Sequence, residues 1–582
     1  MLARARSVLR GVDTNFFWDP NSSDTLPCEL QRWAGSRPND PFLSFEGRRW
    51  TIGSFDAEVN RHARAWRALG VEAGQVVALV LENRPAFLFH FYALGKLGAV
   101  ASLINPSLQG PALDHALHVC EPTAIVVGDE QLPSVLELAD LPVADERVFI
   151  DFEGEPVGVD GRWSCWNPRV VGVSPLPIPD AGLHRLSEVA AYIYTSGTTG
   201  LPKPAVVKHH RLRRSCDVFG GVARLTGEDC IYVTLPLYHA SGTAIGVPAA
   251  IGYRCRLVLS RRFSASRFWR DCRDNQVSVC LYIGELCRYL HNQPPGPGDR
   301  DHQVRCFIGN GLRDDIWDDF CQRFAIERVV EFYAATEGNA ETANLFNLSG
   351  TVGPLLFWKM ALIRWDEERQ APWRGPDGFC ARAKIGEPGL LIGRIDDKNP
   401  YAGYTDEGAS KRKVLSDVFA RGDLWFDTGD LLRADRLLHL HFVDRLGDTY
   451  RWKGENVSTQ EVAEALNRGP GVRESNVYGV EIPGTEGRAG MAALVVDEGW
   501  DPVRFHAHVA EVLPDYAQPR FLRLVESMGT TGTFKHKKGD LREQGWDPAT
   551  VERLWLRDPK QGRYVELTAP LRAAVLAGEW SI

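Results

Sequence analysis

Hydrophobic positions in the first half of the chain alternate between helical and strand spacing. Residues 54–69 repeat apolar side chains at helical intervals and are followed by Gly70, which predicts an amphipathic helix that ends there. Residues 75–83 contain an unbroken apolar run at 76–81, which is typical of a buried strand. A second helix and a second strand are predicted directly after it. This βαβ order predicts a parallel sheet covered by helices.

Alternating helices and strands are predicted again between residues 267 and 335. Helices are predicted at 267–276 and 285–293, and strands at 277–284 and 328–335. Residues 151–181 have no clear period and are rich in Gly, Pro, Trp and Asp, so we expect an irregular surface excursion there.

The pattern changes after about residue 430. Residues 437–445 alternate like a short strand, and a helix is predicted from the capping box of Ser458 and Glu461 to Gly469. Glu461 is interpreted as structural. Two strands and a helix near 502–513 follow, which indicates a small α+β unit.

We therefore predict an α/β protein with a large domain of parallel-rich sheets and a small mobile α+β domain. The predicted boundaries are 1–443 for the N-terminal domain, 444–448 for a hinge and 449–582 for the C-terminal cap.

The most apolar window, residues 86–106, contains His90 and Lys96. A central lysine would be costly in a bilayer, so a buried helix followed by a strand is favoured over a membrane span. The first 20 residues lack a long apolar run, so neither a cleaved signal nor an anchor is expected.

The composition of the chain argues against several kinds of binding site. A formal net charge of −8 argues against a nucleic-acid surface. The 12 cysteines are scattered without CxxC pairs, so we expect reduced, mostly buried thiols in a cytoplasmic protein rather than a zinc site or a disulfide framework.

The segment YIYTSGTTGLPKPAVVKHH (192–210) concentrates hydroxyls and glycines before a lysine. A nucleotide-hydrolase phosphate loop runs straight into a helix, whereas β-branched residues follow here, so this loop is predicted to join two strands. Hydroxyls and backbone N–H groups on such a loop suit phosphate oxygens. The residues concerned are Thr195, Ser196, Gly197, Thr198, Thr199, Gly200 and Lys203.

This loop resembles the TSGTTGxPK loop of the adenylate-forming superfamily, and further motifs match in the family's order. They are YAATEGN (333–339), WFDTGD (425–430), FVDRLGDTYRWKGENVSTQEV (442–462) and TGTFKHKK (531–538). Their form, together with YIGELCRYL and GNGLR, is similar to the branch of fatty acid transport proteins and very-long-chain acyl-CoA synthetases.

The resemblance implies a set of ATP-binding and AMP-binding residues. Tyr333 would stack on adenine beside Gly309, Asn310 and Gly311. Asp430 would hold the ribose hydroxyls and Arg445 the ribose or phosphate side, although either could be a structural pair. Thr336 would contact the α-phosphate, and Glu337 would hold Mg²⁺.

It also implies a role for the cap. Lys535 would bridge the carboxylate and the α-phosphate during adenylation, with Lys537 and Lys538 as the competing basic turn. The cap would then rotate at Gly447 and Asp448 to bring the loop of Lys453, Gly454 and Glu455 to the site for CoA.

By the same resemblance, Tyr238, His239 and Gly284 would line the acyl pocket, and His239 would either gate it or fill its wall. No aspartate follows PLY (236–238) to pair with a substrate amine, which favours an apolar acid.

The implied function is ATP-dependent ligation of a long-chain or very-long-chain fatty acid, or another bulky hydrophobic carboxylate, to CoA through an acyl adenylate. Mg²⁺, ATP and CoA are the expected cofactor and substrates. Fatty acid uptake by vectorial acylation and activation of a steroid side-chain acid stay open, as do peripheral association with the inner face of a membrane and a homodimer.

Overall fold

A computed structural model describes residues 19–155, 161–195, 201–366, 369–446, 449–452, 455–483, 485, 487–529, 539–558 and 560–580. For residues 180, 181, 451, 455, 456 and 539 it describes the backbone alone.

Two large sheets form the N-terminal part, and both are mainly parallel. Among the described residues the first sheet has seven strands, parallel except for the last: Ser164–Cys165, Val148–Asp151, Ala124–Gly128, Val76–Val80, Val100–Leu103, Val189–Thr195 and Lys203–Lys208. The second sheet has eight described strands, antiparallel only at its two edges: Thr342–Ala343, Arg328–Tyr333, Cys306–Asn310, Val279–Ile283, Cys230–Val233, Arg256–Leu259, Pro41–Phe45 and Arg48–Thr51.

A third sheet is antiparallel and leads toward the C-terminal part. Its described strands are Gly353–Pro354, His439–Arg445, Leu424–Ala434, Gly389–Arg394 and Met360–Ile363, with Val414–Ser416 beside Leu424–Ala434. Two short hairpins pair Trp365–Asp366 with Ala371–Pro372 and Tyr450–Trp452 with Glu455–Val457.

The C-terminal part has a sheet and a hydrophobic core of its own. The core comprises buried residues between Tyr450 and Val575. The described strands are Val472–Glu481, Arg488–Val496, Phe521–Leu524, Leu554–Asp558 and Arg563–Glu566. A separate core is expected of a unit that can move as a body, but the boundary at 444–448 and the mobility of the cap stay predictions.

Helices cover the sheets, so the predicted α/β class is confirmed. The helices of the described residues are Leu26–Ser36, Ile52–Ala68, Pro85–Leu97, Gly110–His118, Leu132–Leu136, His209–Val222, Val247–Tyr253, Ala265–Asp274, Gly284–His291, Asp314–Arg323, Glu407–Arg412, Thr459–Asn467, Pro502–Val512, Gly539–Gln544 and Ala569–Leu576.

The apolar window near residue 90 is a buried helix, Pro85–Leu97, followed by the strand Val100–Leu103, as the sequence predicts. Lys96 Nζ donates to Asp56 at 2.5 Å, which explains why a lysine is tolerated inside this helix. None of the helices in the described ranges is long and apolar enough to cross a bilayer.

Candidate active site

A cleft of about 2080 Å³ brings the predicted motifs together. We call it the central cleft. The predicted site residues that line it are Thr195, Lys203, Tyr238, His239, Gly284, Asn310, Gly311, Tyr333, Thr336, Glu337, Asp430 and Arg445. They come from strands of all three sheets of the N-terminal part and from the segments that follow those strands.

Asp430 is the centre of a hydrogen-bonded group on one wall. It lies in the strand Leu424–Ala434, directly opposite Arg445 on the neighbouring strand. Tyr333 Oη donates to Asp430 Oδ2 at 2.6 Å, and Arg445 Nε donates to Oδ1 at 2.9 Å. Burial and then the negative charge of Asp430 raise the pKa of Tyr333 well above its usual value, so the phenol stays a donor.

Thr195 and Lys203 mark the two ends of the predicted phosphate loop. They face each other in the antiparallel pair of Val189–Thr195 and Lys203–Lys208, so the loop joins two strands as the sequence predicts. Both side chains line the central cleft. The residues between them, Ser196, Gly197, Thr198, Thr199 and Gly200, lie outside the described residues.

Thr336 and Glu337 follow the strand Arg328–Tyr333 and are half-buried in the central cleft. Their loop is held by Arg211, whose guanidinium donates to the carbonyl oxygens of Ala335 at 2.7 Å and Gly338 at 2.5 Å. Sequence reasoning missed Arg211, since a basic run at the start of a helix is typical of a solvated face.

Tyr404 is a second residue that the motifs did not indicate. Its segment bonds to the strand Lys203–Lys208 through Thr405 N–H and Pro204 O at 3.1 Å. Burial and then the charge of Glu337 raise the pKa of Tyr404, and the same two causes raise the pKa of Tyr401 to about 12. Two neutral phenols therefore lie beside the Glu337 carboxylate.

The turn of Asn310 and Gly311 is fixed by Glu331. The Glu331 carboxyl accepts from the Gly311 N–H and from the Tyr282 hydroxyl, and Leu312 N–H lies 3.4 Å from its Oε2. Burial raises the pKa of Glu331 to about 8. The sequence signal for this residue is an acid inside the apolar run RVVEFY (328–333).

Two predicted glycines are explained by packing within the protein. A Cβ at Gly284 would lie 1.6 Å from the Gly311 carbonyl oxygen, and one at Gly309 would lie 2.0 Å from the Tyr282 carbonyl oxygen. Gly309 is therefore needed for strand packing.

Tyr238 and His239 lie half-buried before a π-helical turn, Ser241–Gly246. His239 Nδ1 accepts from Ser241 N–H at 3.4 Å, and burial raises the pKa of Tyr238 to about 12. Such turns inside helices are frequent at functional sites.

One side of the central cleft is apolar, and we call it the apolar arm. Phe219 on the helix His209–Val222 packs against Phe332 with ring centroids 4.7 Å apart. The side chains of the apolar arm are Val218, Phe219, Val222, Phe332, Ala343, Leu345, Phe346, Val352, Leu356 and Trp358.

A charged group lies at the cleft beside the apolar arm. Arg211 and Arg214 approach the Glu341 carboxylate at 3.8 Å and 3.7 Å. Although burial alone would raise it, the pKa of Glu341 is lowered to about 2 by Arg214 and Arg211. Burial, with Arg214 next, lowers the pKa of Lys359 to about 7.

The C-terminal part contacts the N-terminal part through charged side chains. Asp444 Oδ2 accepts from Thr459 N–H at 2.6 Å at the start of the helix Thr459–Asn467. Arg288, on the helix Gly284–His291, pairs with Glu474 Oε1 at 2.6 Å and also with Glu285. Ser458 Oγ accepts from Glu461 N–H at 3.2 Å, which is the capping bond predicted for this helix.

Most of the residues predicted for the cap fall in stretches that the structure does not describe. Lys535, Lys453, Gly454, Gly447 and Asp448 lie outside the described residues, and so does the side chain of Glu455, whose backbone pairs with Trp452.

A buried group of His62, His90 and Asp151 lies away from the motifs. Its candidate ligand atoms lie within 4.8 Å of one another. His90 Nδ1 accepts from the Trp66 indole N–H at 3.1 Å, so Nε2 carries the proton and donates to Asp151 at 3.0 Å. Both ring nitrogens are used, and this group is explained without a metal ion.

Known protein families and curated relatives match most of the chain. Residues 30–385 match the family of AMP-binding enzymes, and residues 461–535 match its C-terminal domain. The chain is 40% identical to long-chain fatty acid transport protein 6 of Mus musculus, covering 93% of this chain and 89% of the relative. It is 39% identical to the medium/long-chain-fatty-acid–CoA ligase FadD6 of Mycobacterium tuberculosis, covering 97% and 93%.

Solved structures share the fold. ATP-bound MatB from Rhodopseudomonas palustris aligns with a TM-score of 0.74 at 22% identity, covering 89% of this chain and 98% of that one. The Mycobacterium tuberculosis fatty acyl CoA synthetase aligns with a TM-score of 0.62 at 22% identity over 89% and 98%.

Proposed function

Since this chain belongs to the family of AMP-binding enzymes, we propose that it ligates a long, hydrophobic carboxylic acid to CoA through an acyl adenylate. The membership confirms the resemblance drawn from the motifs. The observation that carries the proposal is that a hydrogen-bonded polar wall, around Asp430, and the apolar arm belong to one cleft.

The reaction has two steps with different needs. A carboxylate oxygen first attacks the α-phosphorus of ATP, the bond to the β-phosphate breaks, and pyrophosphate leaves. The sulfur of CoA then attacks the acyl carbon, AMP leaves, and the thiol proton is released. The first step needs a site for negative charge, and the second needs access for a thiol.

The polar wall would bind the nucleotide. Tyr333 offers a ring for adenine, and its hydroxyl is already fixed by Asp430. A carboxylate oxygen accepts more than one hydrogen bond, so Asp430 can accept from ribose hydroxyls while keeping Tyr333 and Arg445. Thr195, Lys203 and Thr336 line the cleft where the phosphates would follow.

Glu337 would hold Mg²⁺. A half-buried carboxylate that faces the cleft is an oxygen ligand of the kind this hard cation prefers, and neighbouring phenols can donate to water around it. The bound cation would neutralise charge on the phosphate oxygens. Arg211 positions Glu337 by holding the carbonyl groups on both sides of it.

The cap would supply Lys535 for the first step and the loop of Lys453, Gly454 and Glu455 for the second, with rotation at Gly447 and Asp448. These roles follow from the motifs alone. The contacts of Asp444 with Thr459 span the hinge, so rotation there requires that they break.

The acid would lie in the apolar arm beyond Tyr238 and His239. The relatives are named for long-chain and medium/long-chain fatty acids, and the apolar arm is lined by large aliphatic and aromatic side chains. A fatty acid is therefore the first candidate and a bulky steroid side-chain acid the second.

Pyrophosphate release against a panel of fatty and steroid acids, with and without CoA, tests the proposal. We expect release that depends on a hydrophobic acid and on ATP, and a thioester once CoA is added. Glu337→Gln should remove most of it, while Glu407→Gln, at a carboxylate whose side chain is 85% exposed, should not. Absence of pyrophosphate with every acid would refute the proposal.

We further propose a cytoplasmic location at the inner face of a membrane, where thioester formation would trap incoming acid. The similarity to proteins named as fatty acid transport proteins favours this second role. Uptake of labelled acid by cells that contain Glu337→Gln should then fall to the level of cells without the protein.

A further inference from the structure

The helix His209–Val222 runs along the apolar arm and defines its two ends. Arg211, near the start of the helix, holds the loop of Glu337, so this end of the helix lies beside the proposed reacting groups. Val222, at the other end of the helix, lines the apolar arm, and Arg224 follows it and also lines the central cleft. Thirteen positions at about 1.5 Å each place Arg224 about 20 Å from Arg211.

A strand beside this helix has its ends arranged in the same way. Arg328–Tyr333 begins at Arg328, which lines the central cleft, and ends at Tyr333 on the polar wall. Phe332 of this strand packs against Phe219 of the helix, so both elements border the apolar arm. Five positions at about 3.3 Å each place Arg328 about 17 Å from Tyr333. We call the end of the apolar arm that carries the two arginines the outer end.

The positive charge at the outer end is not balanced by a neighbouring acid. Among the described residues, no carboxylate oxygen lies within 4.0 Å of the guanidinium nitrogens of Arg224 or Arg328. The adjacent acid Glu327 is exposed, and a third arginine, Arg305, pairs with Asp229 at 2.9 Å. Burial and then the charge of Arg224 lower the pKa of Arg328. An anion between these two like charges would therefore be stabilised.

The two arginines are anchored and still have donors for a ligand. Arg328 Nη1 donates to Leu345 O at 3.3 Å, which uses one of the five N–H groups of a guanidinium. Arg305 Nη2 donates to the carbonyl oxygen of Arg224 at 3.4 Å, so the backbone of Arg224 is held while its side chain lines the cleft. The outer end therefore presents two planar cations to whatever occupies the apolar arm.

A simple fatty acid makes no use of these charges. Its terminal methyl group would lie among guanidinium groups, which are more stable beside water or an anion. We propose that the apolar arm accepts long-chain α,ω-dicarboxylic acids, whose second carboxylate binds Arg224 and Arg328 while the first is activated. Guanidinium groups bind carboxylates through paired hydrogen bonds. This inference rests on the proposed ligase activity and names a substrate class for it.

The length of the apolar arm decides which diacid fits. Carbon–carbon bonds of about 1.5 Å in a zigzag advance an extended chain by about 1.3 Å each, so the fifteen such bonds of hexadecanedioic acid span about 19 Å. That length matches the separation of Arg211 and Arg224 along the helix. The two reaction steps are unchanged, and the product is a CoA monothioester that keeps a free carboxylate at its far end.

A comparison of matched acids tests the inference. The probes are hexadecanedioic acid and hexadecanoic acid, and the readout is the ratio of their kcat/KM values in pyrophosphate release. Wild type should use the diacid at least as well as the monoacid, and Arg224→Gln/Arg328→Gln should lower the ratio about tenfold. Both acids are measured on one preparation, so a loss of folded protein does not change the ratio.

Further variants and acids separate this binding from general electrostatic attraction. Arg421→Gln/Arg504→Gln removes the same charge at two exposed residues that do not line the cleft, and it should leave the ratio unchanged. The ratio for octanedioic over octanoic acid should not respond to the double variant, because the shorter diacid cannot reach both ends. Arg328→Glu should favour ω-aminohexadecanoic acid over the diacid. Arg224→Gln alone, at an exposed side chain, should give a smaller fall than the double variant.

Three results would overturn the inference. They are a wild type that turns over the monoacid alone, a ratio that stays constant in the double variant, and no gain for the amino acid in Arg328→Glu. A constant ratio with equal losses for both acids would show that the arginines attract the reacting carboxylate instead. Turnover of hexadecanoic acid judges the ligase activity separately, and its absence with every acid would refute the proposed function itself.

Discussion

The two walls of the central cleft are held in different ways. On the polar wall, hydrogen bonds of 2.6 and 2.9 Å join Asp430 to Tyr333 of the second sheet and to Arg445 on the neighbouring strand. The contacts that join the C-terminal part to the rest of the chain, which we call the cap wall, include the Arg288–Glu474 ion pair and the bonds of Asp444 to Thr459. The first group is fixed within the N-terminal part, whereas the second joins the N-terminal part to the C-terminal part. The proposed two-step reaction would need a fixed site for the nucleotide and cap contacts that exchange.

The largest effect is expected from the cap side. Lys535→Ala should reduce acyl-adenylate formation by about a thousandfold, because a charge that stabilises the transition state is lost. Thioester formation from supplied acyl adenylate should stay largely intact. Rapid-quench measurement of both half-reactions checks this, with Lys560→Ala, an exposed lysine of the same domain, as the control. Equal losses in both steps would contradict the assigned role.

A smaller loss of activity is expected from a change on the polar wall. Asp430→Asn removes the charge that Arg445 pairs with and one acceptor of Tyr333, so kcat/KM for ATP should fall about a hundredfold. Steady-state pyrophosphate release at varied ATP measures this, and Asp397→Asn at an exposed aspartate is the matched variant. An unchanged dependence on ATP would show that Asp430 is a structural pair.

The ion pair of the cap wall should change the balance between the half-reactions. Arg288→Ala should alter the ratio of their rates by about tenfold or less, because it weakens one orientation of the cap. A double-mutant cycle with Glu474→Ala should give a coupling energy of about 0.5–1.4 kcal/mol in that ratio. The half-exposed pair Arg364 and Glu387, 3.0 Å apart, supplies a reference cycle in which no coupling in that ratio is expected. Additive effects at 288 and 474 would show that this ion pair does not set the balance between the half-reactions.

The smallest change in activity is expected at Glu331. Glu331→Gln should keep activity near neutral pH, because the native carboxyl, with a pKa of about 8, is mainly protonated there. The pKa of the Glu331 carboxyl is higher in the folded chain than in the unfolded chain. The contribution of this group to the free energy of unfolding is therefore complete below about pH 4.5 and is lost as the pH rises through 8.

Thermal unfolding from pH 5 to 9 measures this contribution. The melting temperature of Glu331→Gln should rise relative to wild type across that range. The groups that face Glu331 are the Tyr282 hydroxyl, the Gly311 and Leu312 N–H groups and, at longer range, Asp314. A constant difference in melting temperature would show that Glu331 does not titrate there.

The sequence predicted best those features of the fold that depend on residues close together in the chain. The loop between Thr195 and Lys203 was predicted to join two strands because β-branched residues follow it, and the antiparallel register confirms this. The βαβ order, the buried helix Pro85–Leu97 and the small α+β unit were predictable from periodicity. Their causes are local, so a single sequence suffices.

The missed residues depend on distant contacts. Arg211 holds the carbonyls of Ala335 and Gly338, more than 120 positions along the chain, and nothing near Arg211 signals this. Glu331 differs because an acid within an apolar strand was visible, although its partners Tyr282 and Gly311 were not. The apolar arm is likewise formed by segments far apart in sequence.

The helix His209–Val222 serves two regions at once. Its Val218 and Phe219 form a wall of the apolar arm, while Arg211 at its start holds the loop that carries Thr336 and Glu337. An acid too short to contact this helix would leave the loop of Thr336 and Glu337 less well ordered. Short acids should therefore have a low kcat even at saturation. The enzyme would then select chain length through kcat as well as through KM.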